Sequence, residues 1–523
     1  MARSLFHIGL SIAFVAVAAA ITPDKHVVVV VWDGMRPDFV SEQNTPALWK
    51  LAKRGVVFRN HHAVYPSATN VNGTALVTGD YPGHTGLIAN HDYRPQIDSK
   101  KSIDVETERA VRKGDEVSGG KYIAAPTIAQ LVRNAGGRTA IAAAKTVGLL
   151  LDRHVDLERE KNSVALFAGE ALPHESLAPI VAALGPFPSA HLQQGAWTTK
   201  ALTDFFWKND IPEFSILWLG EPDLTQHETA PGAPEALAAI KSSDNDLASA
   251  LAALDRHHAL QTTDVFVVSD HGFSTIERAV DVRKILNDAK FNAVTEFAAE
   301  PKPGQVMIVG NGGTILFYVI DHDAAVVRRL VELLQQSDFA GVIFTREPME
   351  GTFAFDKAGI DPRLLNASPA RTAPDVEMSF RWNDKPNQFG VAGMIDADWQ
   401  RAAGKGTHAT LSRFDMHNTL IAAGPDFKNG LTSDLPSGNV DLAPTILKIL
   451  GVDNAPQIDG RILSEAMRSD DHSPPKSETQ TIEATKKFSS GNWRQILKVS
   501  RVGSTIYLDE GNGIFSSGSP KTK

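Results

Sequence analysis

The sequence predicts an α/β fold: a doubly wound, mostly parallel sheet with helices on both faces, carrying a smaller α/β cap inserted in its second half. Three observations point there. Residues 27–32, Phe214–Leu219 and residues 265–269 are near-continuous apolar runs rich in β-branched side chains, as strands buried on both faces of a parallel sheet require. Each run ends in an acidic turn: Asp33-Gly34, Gly220-Glu221-Pro222-Asp223 and Asp270-His271-Gly272. Segments of helical spacing separate the runs, and β-α alternation is the pattern of a doubly wound sheet.

In chain order, Thr45 is the expected N-cap of a helix with Pro46 at its first position and Gly55 at its end. Residues 71–78 follow as a helix closed by Gly79, and residues 126–134 as another, stopped by Gly136-Gly137 before a strand at 139–144. The Ala/Leu-rich residues 235–254 form a helix leading into the run at 265. From 277 to 404 the texture changes: strands at 306–309 and 314–320, a helix at Ala324–Gln335, then a Pro/Asn/Asp-rich stretch. This segment reads as the inserted cap, leaving 21–276 and 405–470 as the metal-binding catalytic domain. The latter returns with a strand at 418–422 and the helix Leu442–Leu450, closed by Gly451. Residues 471–523 read as a polar connection followed by short strands such as 504–508.

The chain has 523 residues, a formal charge of −9 and no cysteine. No basic block marks a dedicated nucleic-acid surface. Disulfides, thiolate metal sites, a cysteine nucleophile and a cysteine-derived formylglycine are excluded. Arg3, the apolar residues 5–17 and Ala18-Ala19-Ala20 have the layout of a cleaved export signal over residues 1–20. No later segment is long and apolar enough to span a bilayer, so the mature chain is expected in the periplasm or outside the cell.

In open α/β sheets ligands bind outside the carboxyl ends of the strands. Asp33, Thr69, Asp223, His227, Asp270, His271 and His408 each follow an apolar run or sit in a turn after one. Carboxylate and imidazole suit zinc, and two close divalent metals can hold the attacking and leaving oxygens of a phosphoryl displacement. Asp223 and His227, four apart, share a face if a helical turn starts there. Thr69 precedes the helix at 71–78, where backbone N–H groups and the positive dipole end favour a phosphate. Metal binding to its oxygen would make it a nucleophile. The plainer reading is an N-cap, and Ser67 competes for the nucleophile role.

The segments Val27-Val-Val-Val-Val-Trp-Asp33-Gly, Tyr65-Pro-Ser-Ala-Thr69-Asn-Val-Asn72, Glu221-Pro-Asp223-Leu-Thr-Gln-His227, Val268-Ser-Asp270-His271-Gly and Gly406-Thr-His408 resemble the alkaline phosphatase superfamily. Order and spacing are most similar to its nucleotide pyrophosphatase/phosphodiesterase branch, over roughly residues 26–450. The resemblance implies an alkaline-phosphatase-like fold and two divalent metal ions, zinc foremost. Asp33, Thr69, Asp270 and His271 match the ligands of the metal that activates the nucleophile. Asp223, His227 and His408 match those of the metal at the leaving oxygen. It further implies that Asn90, in Gly86-Leu-Ile-Ala-Asn90-His-Asp-Tyr93, donates to a nonbridging phosphoryl oxygen. Asn72 packs or caps locally instead. The implied reaction is Thr69 attack on a small phosphodiester or nucleotide, then hydrolysis of a phosphothreonine intermediate.

Threonine-dependent phosphomonoesterases of the superfamily carry a Lys-x-Arg pair, and the matching segment is read as Leu151-Asp152-Arg153, with Arg153 present and the lysine missing. That favours diesters. His84 departs from the family's His-Gly order, and His61, His62 and His417 read as structural. A sulfatase would need a C/S-x-P-x-R motif around Thr69, which is absent. A phosphomonoesterase or a phosphonoacetate-type hydrolase would use the same metals, the latter with a substrate-binding lysine for which Lys145 is the nearby choice. A binding protein that had lost activity would lack a ligand, and all seven positions are filled. Trp32, Tyr65 and Tyr93 are either base-stacking or core residues.

Overall fold

The computed structural model describes residues 24–153, 163–355, 373–452, 456–469 and 473–517. The export-signal reading of residues 1–20 lies outside them.

The main sheet has nine strands: β1 (His26–Trp32), β2 (Val56–Phe58), β3 (Thr139–Ala143), β4 (Ser163–Phe167), β5 (Glu170–Leu172), β6 (Phe214–Leu219), β7 (Thr263–Val268), β8 (Leu420–Ala423) and β9 (Leu431–Ser433). Their order is β9-β2-β8-β7-β1-β6-β3-β4-β5. The stretch β7-β1-β6-β3-β4 is parallel throughout, and β8 and β5 join antiparallel. Side chains alternate between faces along a strand, and β1 buries both. Val27, Val29 and Val31 enter one core with helices α2 (Thr69–Thr78), α3 (Ile128–Asn134) and α6 (Leu442–Leu450). Val28, Val30 and Trp32 enter the opposite core with α1 (Pro46–Arg54) and α5 (Pro234–Arg256). The six β1 side chains from Val27 to Trp32 are at most 3% exposed, and each such burial contributes about 1.5–3 kcal/mol.

Register brings the acids together. Val31 pairs with Val268 on one side and Trp218 on the other. The three strands therefore end level, with Asp33, Asp223 and Asp270 leaving the same edge. Asp223 opens the short helix α4 (Asp223–Glu228).

Local starts differ in detail from the sequence reading. Helix α2 begins at Thr69 itself, with Ala68 as N-cap, so Thr69 Oγ1 is not a capping group. Thr45 precedes α1, but its hydroxyl donates to Ser41 O. Helix α3 starts at Ile128 behind a Thr127/Gln130 capping box.

Across the boundaries of the segment read as the cap, Ser274–Ala279 pairs with Ala392–Ala397 and with Gly406–Thr407. A separate six-stranded sheet includes Val306–Gly310, Thr314–Val319, Ala340–Thr345 and Val376–Phe380. Helix Ala324–Gln335 covers it, with Leu330, Val331 and Leu334 packed in the core of Phe317 and Ile343.

The C-terminal reading needs correction. Ser477–Phe488, Gly491–Val502 and Thr505–Ser517 form a three-stranded antiparallel sheet of long strands. The outer strand is exposed or half-buried at every position, and that polar composition reads as a loop. The middle strand alternates, burying Trp493, Gln495 and Leu497. The Gln495 side chain accepts a hydrogen bond from Ile343 N (2.8 Å) and donates one to Ile343 O (3.1 Å), fastening this sheet to the six-stranded one.

Candidate active site

All seven expected metal-binding positions converge at the carboxyl ends of β1, β6 and β7. Thr69 Oγ1 lies 3.2 Å from His271 Nε2. That nitrogen is 3.2 Å from Asp270 Oδ2 and 3.5 Å from Asp33 Oδ1. Asp223 Oδ1 is 3.3 Å from His227 Nε2 and 3.5 Å from His408 Nε2. The His271 and His408 rings stack with centroids 3.7 Å apart. Potential ligand atoms of Asp33, Asp270 and His271 lie within 4.8 Å of one another, as do those of Asp223, His271 and His408. The stack thus places His271 in both groups, where the family resemblance assigns it to one.

The hydrogen bonds sort ligand atoms from anchored atoms. His271 Nδ1 faces Gly272 O, His227 Nδ1 faces Gly406 O and His408 Nδ1 faces Ser67 O, at 2.8–3.0 Å. Carbonyls there fix the N–H at Nδ1 and leave the Nε2 lone pair free, as metal-binding imidazoles are held by a carbonyl behind the ring. Each aspartate is likewise split. Asp33 Oδ2 accepts from Trp218 Nε1 (2.9 Å) and faces Lys145 Nζ (3.0 Å). Asp223 Oδ2 accepts from Lys145 Nζ, and Asp270 Oδ1 from Gly34 N. The opposite oxygens, Asp33 Oδ1, Asp223 Oδ1 and Asp270 Oδ2, are buried and receive no hydrogen bond. An uncompensated buried carboxylate oxygen costs several kcal/mol. Three of them facing imidazole Nε2 atoms fit a divalent cation.

Electrostatics agree. Burial, with repulsion from Asp270, raises the Asp33 carboxyl well above its ordinary range. Burial pushes Asp270 up to about 7. Burial acts on Asp223 too, but Lys145 and His227 hold it low. Burial keeps His271 and His408 below the ordinary imidazole value, the latter also repelled by His271. The His271 and His408 imidazoles are therefore neutral, the ligand-competent form.

Around this centre, Ser67 donates its hydroxyl to Thr410 O and is fully buried, whereas Thr69 Oγ1 faces the cluster. The Asn72 amide donates to Val64 O and Ala68 O and accepts from Val64 N, folding the loop before Thr69. Asn90 Oδ1 accepts from Asn70 N at 2.9 Å, one residue after Thr69. Two residues stand elsewhere. His84 is half exposed and pairs with Asp459. Arg153 is buried against Asp115 and Gly120 O, so the segment aligned to the Lys-x-Arg pair is misplaced. The cation at the cluster is Lys145, which follows β3; Trp218 was not foreseen. The strand-end rule that found the aspartates applies equally to Lys145. Trp32, Tyr65 and Tyr93 are all buried, Tyr93 edge-on to Phe297 and Tyr318.

The profile of the type I phosphodiesterase / nucleotide pyrophosphatase family matches residues 27–369. The chain belongs to that family. Ectonucleotide pyrophosphatase/phosphodiesterase family member 1 of Homo sapiens is 22% identical over 442 residues, 81% of this chain and 40% of the relative. Family member 7 of Rattus norvegicus is 21% identical over 471 residues, 88% of this chain and 93% of the relative. Venom phosphodiesterase of Naja atra is 23% identical over 413 residues, 76% and 41% respectively. This chain thus spans less than half of the human and cobra relatives. Murine ectonucleotide pyrophosphatase/phosphodiesterase 5 superposes with a TM-score of 0.60 at 18% identity, covering 85% of this chain and 100% of that one. An inactive variant of it, solved in complex with AMP, gives 0.59 at 17%, with the same coverage. These neighbours share the α/β fold the sequence predicts.

Proposed function

We propose that this family member is an exported two-metal phosphodiesterase or nucleotide pyrophosphatase with Thr69 as nucleophile. The observation that carries the reading is the set of three buried, undonated aspartate oxygens opposite imidazole Nε2 atoms, with Thr69 Oγ1 beside them. Asp33, Thr69, Asp270 and His271 would hold one cation and Asp223, His227 and His408 the other. Zinc bound there supplies Lewis acidity to the attacking and leaving oxygens. Thr69 stands at the first turn of α2, where free backbone N–H groups favour the phosphoryl group. Its oxygen forms a bond to phosphorus as the ester P–O bond breaks, and water then cleaves the phosphothreonine. With Oδ1 held by Asn70 N, Asn90 can turn only Nδ2 toward a nonbridging oxygen, a preorganised donor.

Lys145 is engaged by Asp33 and Asp223, and Arg153 by Asp115. Shared between two carboxylates, the Lys145 ammonium has little charge left for the second charge of a monoester, which supports diesters. The AMP complex of the murine neighbour and the ecto- and venom enzymes among the relatives support a nucleotide substrate and export. No helix among the described residues is long and apolar enough to cross a membrane. In this reading 21–276 with 405–470 form the catalytic unit and 277–404 its cap. The test compares zinc-loaded protein and Thr69→Ala on the p-nitrophenyl ester of thymidine monophosphate and on p-nitrophenyl phosphate. Diester turnover lost in the variant, with zinc retained, is expected. Monoester preference would overturn the diester reading, and inactivity on both would redirect it to phosphonates.

A further inference from the structure

A short turn of the insertion, Asn311-Gly312-Gly313, between strands Val306–Gly310 and Thr314–Val319, meets the chain beside Asn90 and His408. Asn311 is 8% exposed, and its side chain grips the backbone of His91 at two points. His91 N donates to Asn311 Oδ1 at 2.8 Å, and Asn311 Nδ2 donates to His91 O at 3.1 Å. One amide side chain thereby stands in for a strand edge against the residue that follows Asn90.

The same turn holds a second residue of the site. Gly313 N donates to His408 O at 2.8 Å. This approach is possible only without side chains. A Cβ on Gly312, whose φ is +73°, would stand 2.6 Å from Thr407 Oγ1, and one on Gly313 would stand 2.6 Å from His408 O. The turn is itself fixed: Asn311 N donates to Thr314 O, and Gly312 N to Asp398 Oδ2 at 2.8 Å.

The Asn90 backbone is also tied by Val105 N, which donates to Asn90 O at 3.1 Å, and His91-Asp92 continues from it as a short strand paired with Ile103-Asp104. Its side chain is set by Asn70 N. On the far side of Asn90, Asn311 adds to that ladder a side-chain clamp on both His91 N and His91 O.

We infer that Asn311 is a positioning residue through which the inserted segment holds Asn90 in donating geometry. The inference rests on the proposed role of Asn90 and extends it to a residue outside the family motifs quoted above. A positioned donor acts on the transition state more than on substrate binding, so loss of Asn311 lowers kcat and leaves KM and zinc content nearly unchanged.

The test is a double-mutant cycle on the zinc-loaded full chain with the thymidine diester: Asn90→Ala, Asn311→Ala and both together, with zinc content and melting temperature measured on each. Removal of one preorganised donor lowers kcat by about 10²–10³-fold, the loss expected for Asn90→Ala. Asn311→Ala should lose about tenfold, and the double variant no more than Asn90→Ala alone, because residues acting as a unit are non-additive. The isosteric Asn311→Asp keeps volume and one acceptor but faces His91 O with an oxygen. It should lose kcat like the alanine, and wild-type turnover in it would reduce Asn311 to packing. Multiplied losses in the double variant overturn the inference while leaving the Asn90 role standing. Wild-type turnover in Asn90→Ala overturns both.

Discussion

Lys145 Nζ lies 2.9 Å from Asp223 Oδ2, in a cluster otherwise built of carboxylates and imidazoles. The same ammonium is 3.0 Å from Asp33 Oδ2. It therefore links one expected ligand from each metal position and leaves the inner oxygen of both carboxylates free. Burial opposes its charge, but Asp223 and Asp33 hold its protonated form well beyond the ordinary lysine range.

Removing one member of a buried ion pair costs about 3–5 kcal/mol, because the partner charge stays buried. Lys145→Met should accordingly lower the melting temperature of chelated protein. Added zinc should recover much of the loss, since a ligand at about 1,000 times its Kd stabilises by about 4 kcal/mol. Differential scanning calorimetry in EDTA and in zinc reads both. Equal melting of variant and wild type in EDTA would remove Lys145 as the countercharge.

Trp218 supplies the other donor to Asp33 Oδ2. Trp218→Phe keeps one aromatic ring in the core and deletes that N–H together with the second ring of the buried indole. Loss of an outer-shell partner typically weakens metal binding 10–100-fold, and a shift of that size is expected in a competitive zinc titration. Unchanged affinity would mean that Lys145 alone fixes the carboxylate.

What the sequence made legible was local. The apolar runs ending in acids located β1, β6 and β7, and order along the chain placed the seven residues at one sheet edge. Trp218 and Asn311 were hidden, and Lys145 was read only as a substrate-binding lysine, because their roles arise from strand neighbours distant in sequence: β6 lies between β1 and β3, and the 311–313 turn meets His91 across 220 residues. Arg153 shows the reverse error, since a three-residue likeness carried no information on where the chain would turn. The outer C-terminal strand escaped because edge strands need no apolar face.

Trp493 gives that C-terminal sheet a measurable weight. It is fully buried in the core of the six-stranded sheet, and its Nε1 donates to Gly351 O at 2.8 Å. Trp493→Ala should cost about 3–5 kcal/mol, as large-to-small core changes do. Urea unfolding followed by far-UV circular dichroism measures it. A midpoint equal to wild type would make the sheet a dispensable appendage.

Asp246 predicts the pH dependence of stability. It lies on α5, 7% exposed, where the helix His191–Lys200 approaches so closely that a Cβ on Gly195 would stand 2.5 Å from Asp246 Oδ2. Burial alone raises its carboxyl from 3.8 to about 7. Below about pH 4 both folded and unfolded chains hold the proton, and the group is neutral to stability. Between about pH 4 and 7 the unfolded chain releases it while the folded chain keeps it. Stability then falls by up to about 1.36 kcal/mol per pH unit and stays lowered above the folded value. Asp246→Asn has no proton to release. It should match wild type near pH 4 and be more stable by about 1–3 kcal/mol at pH 8, read from paired urea titrations. A difference constant across pH would show that the carboxylate has a compensating partner when charged, and that burial is not what sets its cost.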